Sequence, residues 1–476
     1  MEEVMIINAN VIDSYKKYDS ELLDKLLAEE ISKNHKKIVV LDDDPTGVQT
    51  VHDVSVYTNW EKETLLEAFG EEDNVFFILT NSRGLTAEQT TVVHRDISEA
   101  VWEAANHYKK DYIIISRGDS TLRGHYPLET EILRDNYEKY SGKKVDGEVL
   151  CPFFPEGGRY TIDNIHYVRY GEKLISANET EFAQDKTFGY KSESLPDFVE
   201  EKTEGNYKAE SIISITLQEL RSVKIDEIEK KISAAENFQK IIVNAVDYDD
   251  LKVFCIALYR AMAKGKKYLF RTAAAFVKII SGVTDKELLD KKQLLSLETT
   301  CGGIIVAGSH TAKTTRQLEK LKELPGVEFL ELDVSEINNT DKFKEILEAC
   351  IKKEEEIIRS GKTVCCYTSR KLLSANSDDK EEHLRLSVKI SQAVQDLVGK
   401  LNVTPAFVIA KGGITSSDIG VKALKVKKAT VIGQIQPGVP VWKLGDDSFF
   451  PGVPYIIFPG NVGNEYTLKR AVEVLL

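Results

Sequence analysis

Three times within the first part of the chain a short apolar run stops abruptly at a polar loop. Ile38–Leu41 empties into Asp42-Asp43-Asp44-Pro45-Thr46-Gly47, and Val75–Leu79 into Thr80-Asn81-Ser82-Arg83-Gly84. Tyr112–Ile115 empties into Ser116-Arg117-Gly118-Asp119-Ser120-Thr121-Leu122-Arg123-Gly124-His125. Brief runs rich in β-branched residues suit strands buried on both faces of a parallel sheet. Helix signals follow two of the loops. Thr86 with Gln89 three residues on is a capping box that opens a helix to about His107, and Pro127 suits a first helical turn. This strand–loop–helix rhythm predicts a doubly wound α/β sheet with ligands along the carboxyl ends of its strands. The adjacent acids Asp42, Asp43 and Asp44 repel one another and have no use in a core. Pro45 cannot continue a ladder, and Gly47 permits a tight turn. A solvated turn with a helix cap accounts for the acids as well as a ligand site does.

Further along, residues 1–35 read as an extension with one amphipathic helix over Ser20–Lys33. Glu148–Phe154 is another apolar segment, and Pro155–Arg159 a turn or flexible loop. From Tyr160 to Tyr207 the pattern weakens, with a strand at His166–Val168 and a long irregular loop at Thr180–Ser194. Strands at Lys240–Asn244 and Tyr268–Arg271 bracket a helix over Tyr248–Ala263. Asp285–Thr300 is polar and Leu-rich without sheet character, so the domain boundary falls there. The expected domains are 1–290 and 300–476. The second restarts the rhythm: strands at Gly303–Val306, Val327–Leu332, Thr363–Tyr367, Ala406–Ala410, Val431–Gln436 and Pro454–Phe458 alternate with helices at Ala312–Leu324, Lys342–Ser360, Glu381–Leu401 and Asn464–Leu476. The fold class is α/β: two α/β domains with largely parallel sheets flanked by helices.

The chain has 476 residues, 42% hydrophobic and 29% charged, enough to build a large core, and its net charge of -13 argues against general nucleic-acid binding. No apolar run approaches the roughly 20 residues of a membrane span. The N-terminus is acidic and unlike a signal peptide. Six cysteines (Cys151, Cys255, Cys301, Cys350, Cys365, Cys366) include no C-x-x-C and no Cys–His spacing of a zinc site, so no metal ligand set is assigned. Reduced core thiols point to a cytoplasmic protein.

Gly308-Ser309-His310-Thr311 and Gly412-Gly413-Ile414-Thr415-Ser416 share one design. A buried strand ends, glycine lets the backbone turn closely, hydroxyls follow, and a helix starts. The free N–H groups of that helix favour a phosphate, although Ser and Thr also cap helices without a ligand. A third glycine loop, Pro459-Gly460-Asn461-Val462-Gly463-Asn464, points to nucleotide binding through converging amides. Neither a Walker P-loop nor a dinucleotide fingerprint is present. In the first half Arg83, Arg117 and Arg123 each follow a strand. They are placed to hold a carboxylate or phosphate, or to pair with the local acids. His52, His125, His166 and His310 read as polar lining.

Together Asp43-Asp44-Pro45-Thr46-Gly47, Asn81-Ser82-Arg83, Asp119-Ser120-Thr121-Leu122-Arg123-Gly124, Gly308-Ser309 and Gly412-Gly413-Ile414-Thr415-Ser416 resemble the four-carbon acid sugar kinase family, in the family's order. The resemblance implies an N-terminal domain for an acid sugar such as threonate or erythronate. It further implies a C-terminal domain for ATP, with the reaction in the interdomain cleft. Asp43, Asp44, Arg83, Asp119 and Arg123 match substrate-side motifs, with Ser120 and Gly124 in the same string. Ser309, Gly412, Gly413, Ile414, Thr415 and Gly460 match the nucleotide side, beside Thr311. The sequence departs from the family where Asp-Asp-Pro-Thr-Gly-Val replaces Asp-Asp-Leu-Thr-Gly-Ala, where Arg117 replaces a lysine, and where His125 replaces an asparagine. Gly308-Ser309-His310-Thr311 stands for a Gly-Ser-Cys-Ser-like string. The expected activity is ATP- and Mg²⁺-dependent phosphorylation of a hydroxyl, with one of Asp43, Asp44 or Asp119 as base and Arg83 or Arg123 on the substrate carboxylate. A sugar-acid sensor without turnover, a ligase, or a kinase for another hydroxy acid are the alternatives. The expected partners are the small-molecule sugar acid and ATP, with no nucleic acid and no membrane. A homodimer is compatible with this reading.

Overall fold

The computed structural model describes residues 6–295, 299–308, 311–369, 380–460 and 462–476. The chain packs as two compact units, one formed by the chain up to Val51 with Asn59–Asp285, the other by His52–Thr58 with Lys286–Leu476. A single cut near residue 290 does not contain the short segment at 52–58. Its strand Val54–Tyr57 pairs antiparallel with Lys428–Gln436, Tyr57 opposite Lys428 and Val54 opposite Val431. A lone strand leaves its amides unpaired, and here its partner lies hundreds of residues away, beyond the reach of local sequence signals.

The first unit is built on seven strands: β1 (Lys37–Asp42), β2 (Val75–Leu79), β3 (Tyr112–Arg117), β4 (Gly147–Cys151), β5 (Ile213–Ile215), β6 (Gln239–Val243) and β7 (Tyr268–Thr272). Their spatial order is β5-β6-β4-β7-β3-β1-β2, and every pairing is parallel. All residues of β1, β2 and β3 are buried, the pattern of a sheet covered on both faces. Helix α1 (Ala87–Tyr108) opens with the expected capping box, the Gln89 N–H donating to Thr86 Oγ1 at 3.2 Å and the Thr86 N–H to Gln89 Oε1 at 3.0 Å. Helix α2 (Leu128–Ser141) follows Pro127, and α3 (Tyr248–Ala263) buries most of its circumference against the sheet and its neighbours.

The weakly patterned stretch holds more structure than its sequence predicts. Arg159–Ile162, Ile165–Tyr170 and Lys173–Ser176 form an antiparallel meander, joined on its far side by Ile6–Asn8. The segment expected as a long irregular loop places Phe182, Ala183 and Tyr190 in a core with Tyr126, Leu195 and Phe198. Each such aromatic contributes roughly 1.5–3 kcal/mol by burial, enough to fix a segment without regular hydrogen bonds.

In the second unit β8 (Ile304–Ala307), β9 (Val327–Leu332), β10 (Thr363–Thr368), β11 (Val408–Lys411), β12 (Lys428–Gln436), β13 (Val439–Leu444) and β14 (Pro454–Phe458) join Val54–Tyr57. The order is Val54–Tyr57, β12, β13, β14, β11, β8, β10, β9. The last five are parallel and the first three pairings antiparallel. The β12–β13 hairpin turns at Pro437-Gly438, with the Gly438 N–H held by Gln434 Oε1 at 2.7 Å. Helices α4 (Ala312–Leu321), α5 (Thr340–Arg359), α6 (Lys380–Gly399), α7 (Gly413–Asp418) and α8 (Thr467–Leu475) complete it. Among the described residues no helix is long and apolar enough to cross a membrane.

Candidate functional site

Parallel register brings the first three polar loops level. Asp42 at the end of β1 stands opposite Leu79 in β2 and Arg117 in β3. The loops are then stitched together by backbone: the Thr80 N–H donates to the Asp42 carbonyl at 2.9 Å, Asp43 N–H to Arg117 O at 3.3 Å, and Arg83 N–H to Asp43 O at 3.4 Å. His125 Nε2 lies 2.9 Å from the Leu85 carbonyl and ties the second loop to the third.

Arg83 grips Asp43 with both arms, Nε to Oδ2 at 3.1 Å and Nη2 to Oδ1 at 2.7 Å, and reaches Asp44 Oδ2 at 3.4 Å. Arg117 is buried and pairs with Asp42, with Asp43 Oδ1 at 3.3 Å, and with the carbonyls of Asp44 at 2.7 Å and Gly118 at 3.2 Å. Its guanidinium lies against Gly47, where any Cβ would overlap it. Asp44 turns the loop by accepting from the Thr46 N–H at 2.9 Å and the Thr46 hydroxyl at 2.5 Å. Asp119 accepts from the Thr121 hydroxyl and from Arg123 Nε at 2.6 Å. Arg123 also faces Asp185 Oδ2 at 3.8 Å and lies over the Phe182 ring at 5.1 Å.

These environments separate the acids. Burial pushes the Asp43 carboxyl up to about 6 even with Arg83 in place. Burial also opposes ionisation of Asp119, but Arg83 and Arg123 outweigh it and hold that carboxyl well below the usual range. Ser120 contributes its carbonyl, 2.8 Å from His166 Nε2, while His166 Nδ1 lies 3.0 Å from the Thr161 hydroxyl. A carbonyl can only accept, so Nε2 carries the proton, and burial keeps the ring neutral by pulling its pKa to about 4. Gly124 adopts φ +120°, and a Cβ there would meet Arg271 and Asp43.

Three residues of this cluster escape a reading of the loops alone. Arg271, at the end of β7, lies between Gly118 and Gly124 and donates to Glu129 Oε2 at 2.5 Å, Ser116 Oγ at 2.9 Å and the Arg123 carbonyl at 3.2 Å. Glu129, buried in α2, also accepts from the hydroxyls of Ser82 at 2.7 Å and Ser116 at 2.9 Å. A cation closing the apolar run Tyr268–Phe270, and an acid in a first helical turn, were the available signals. The third is Arg159. Its guanidinium lies over the other arginine's ring partner, Phe182, at 5.3 Å, and among the described residues it makes no ion pair or hydrogen bond. A small cavity nearby is walled by Asp119, Leu122, Tyr126, Arg271 and Thr272, whose buried Oγ1 has no partner.

In the second unit the carboxyl ends of β14, β11, β8 and β10 are neighbours on one edge. Lys411, buried at the end of β11, donates to the Pro459 carbonyl at 2.7 Å and reaches the Gly460 carbonyl at 3.4 Å, so it joins two of the glycine loops. Burial, with Lys313 adding like charge, pulls this amine down to about 7. Gly412 has φ 116° and its N–H donates to Phe458 O at 2.8 Å. Gly413 opens α7, and the Ile414 side chain is 80% exposed. A Cβ on Gly308 would stand 3.0 Å from Thr415 Oγ1, which brings the first and second glycine loops together. Thr311 is the N-cap of α4, its hydroxyl accepting from the Thr314 N–H at 3.3 Å. Ser309 and His310 lie outside the described residues, as does Asn461.

Residues 38–280 match a family described as the sugar-binding N-terminal domain, and residues 304–468 one described as the nucleotide-binding C-terminal domain. The chain belongs to the four-carbon acid sugar kinase family. The fold agrees with solved structures at low identity. Haemophilus influenzae protein HI1011, of the DUF1537 family, is 17% identical over 92% of this chain and all of its own, with a TM-score of 0.61. A Salmonella typhimurium LT2 protein described as a candidate tRNA synthase is 16% identical over 92% of this chain and 99% of its own, with a TM-score of 0.65. No curated protein sequence matches the chain. The first loop cluster thus falls in the part of the chain that matches a sugar-binding domain, and the second in the part that matches a nucleotide-binding domain.

Proposed function

We propose that the chain is an ATP-dependent kinase that phosphorylates a hydroxyl of a small four-carbon sugar acid of the threonate or erythronate kind. The observation that carries this reading is the division of labour among the arginines. Arg83 is committed to Asp43 and Asp44, Arg117 to Asp42 and backbone, and Arg123 to Asp119 through Nε with Asp185 facing Nη1. Arg159 holds an uncommitted fork beside Arg123, so the substrate carboxylate goes to Arg159 rather than to Arg83 or Arg123.

Asp43 is the general base of this proposal. Its pKa near 6 is matched to taking a hydroxyl proton at neutral pH, whereas Asp119 is too acidic and acts by fixing Arg83 and Arg123. Of Asp42, Asp43, Asp44 and Asp119, Asp44 is the most open, with 18% of its side chain exposed and one oxygen only weakly engaged, and it fits a Mg²⁺ carried on the phosphates. That ion would supply charge neutralisation on the transferring group. On the nucleotide side the amides following Gly412, with Lys411 beside them, hold phosphate oxygens. Ile414 offers an apolar contact for the base.

The test is coupled ADP release over a panel of four-carbon acids, with product mass. A product heavier by one phosphoryl group, with ADP released, supports the kinase. Saturable acid binding without ADP, or release of AMP, overturns it. Arg159→Ala should raise KM for the acid by on the order of tenfold or more, with a smaller effect on kcat. An unchanged KM would remove Arg159 from the site.

A further inference from the structure

A second cluster of chemistry-bearing groups lies within the second unit, on elements no proposed substrate contact uses. Cys350 and Glu354 are four residues apart on α5 and therefore share one helical face. Cys366 comes from β10, which packs beside α5. Side chains alternate along a strand. Cys365 joins the apolar core on one side of the sheet, and Cys366 faces the other. The two sulfurs and a Glu354 oxygen lie within 4.8 Å of one another.

Glu354 is the decisive member. It is fully buried, and among the described residues its carboxyl meets no N–H or O–H donor, only the Cys366 thiol. A buried carboxyl without donors carries a desolvation cost that a protein normally offsets with a cation or amides. Here the groups facing it are two thiols, donors too weak to serve as substitutes and, when ionised, soft metal ligands. Cys366 is buried, while Cys350 is partly exposed and leaves an entry path.

We propose that Cys350, Glu354 and Cys366 form a site for a thiophilic divalent cation, Zn²⁺ above all, with a fourth position for water. Tetrahedral zinc, with Zn–S near 2.3 Å, sets its sulfur ligands about 3.8 Å apart. Binding displaces the thiol protons and any proton on Glu354 to solvent, with no change of oxidation state, so the uptake is pH-dependent and braces α5 against β10.

The experiment titrates the reduced, chelator-treated full-length protein with Co²⁺ and follows the thiolate-to-cobalt charge-transfer absorption, then competes with Zn²⁺. The native chain should take up one equivalent with the charge-transfer band, and zinc should displace it and raise Tm. Cys350→Ser should abolish the band, and Glu354→Gln, which keeps shape and fold, should weaken binding by on the order of tenfold or more. Native protein without a stoichiometric band, or a band undiminished in Cys350→Ser, overturns the proposal. So does a Cys350–Cys366 disulfide that forms on air oxidation and is unaffected by prior zinc. Because the readouts are metal uptake and Tm, they are independent of whether the chain phosphorylates a sugar acid.

Discussion

Asp43 sits between two demands. Its carboxylate anchors Arg83, and burial lifts its pKa to about 6. As a base it must be ionised, so activity falls as pH drops through about 6 and is flat above. The kcat profile of the native protein should show that acid limb, and Asp43→Asn should lose about two to four orders of magnitude in kcat together with the limb. An Asp43→Asn enzyme that keeps the same acid limb would move the base elsewhere. Gly47 makes the second test. The Cα hydrogen that a methyl group would replace faces the Arg117 guanidinium, which Asp42 and two carbonyls hold rigidly. Gly47→Ala should therefore destabilise by about 1–3 kcal/mol in urea unfolding, although alanine is ordinarily harmless in such turns.

Helix α2 is fastened to the strand ends by one side chain. Glu129 collects Ser82 from the loop after β2, Ser116 from β3 and Arg271 from β7. Removing it strands a buried guanidinium, so Glu129→Ala should cost about 3–5 kcal/mol. The pH dependence follows from the direction of its shift. Burial opposes ionisation, but Arg271, His94 and the two serines hold the folded pKa at about 2, below its ordinary 4.5. The unfolded chain then binds the proton more readily. Glu129 contributes about 3 kcal/mol that is complete above pH ~4.5 and lost as pH falls toward 2. Denaturant unfolding between pH 6 and 3 should be less pH-dependent in Glu129→Gln than in the native chain, and equal slopes would exclude this role.

The molecule carries two separately cored units, and the proposed function gives each its own ligand at a strand-end loop cluster. Their ligands should therefore leave separate footprints. Hydrogen exchange should show the nucleotide protecting amides of 411–416 and 458–460, and the sugar acid protecting 82–84, 117–124 and 158–160. A ligand at about 100 times its Kd adds roughly 2.7 kcal/mol to the unit that binds it. A nucleotide that protects only the first unit would reverse the assignment of the two sites.

Much of this was readable in one dimension because the controlling interactions are local. The strand runs, the Thr86 capping box and the glycines after β8 and β11 are encoded within a few residues, and the Asp119–Gly124 string names its family directly. Of the antiparallel meander only His166–Val168 was legible, and of the β12–β13 hairpin only Val431–Gln436, because short strands carry little periodicity, although Pro437-Gly438 marks a turn. The pairing of Val54–Tyr57 with β12 was hidden by distance in the chain. Local residue order fixes where strands stop and which loops hold charge, since backbone sterics and apolar periodicity act over a turn or two. Which of five neighbouring guanidiniums is committed, and which carboxyl is lifted to about 6, depends on burial and on partners from other strands. Only the packed fold could assign Arg159 its freedom and place Cys366 beside Cys350 and Glu354.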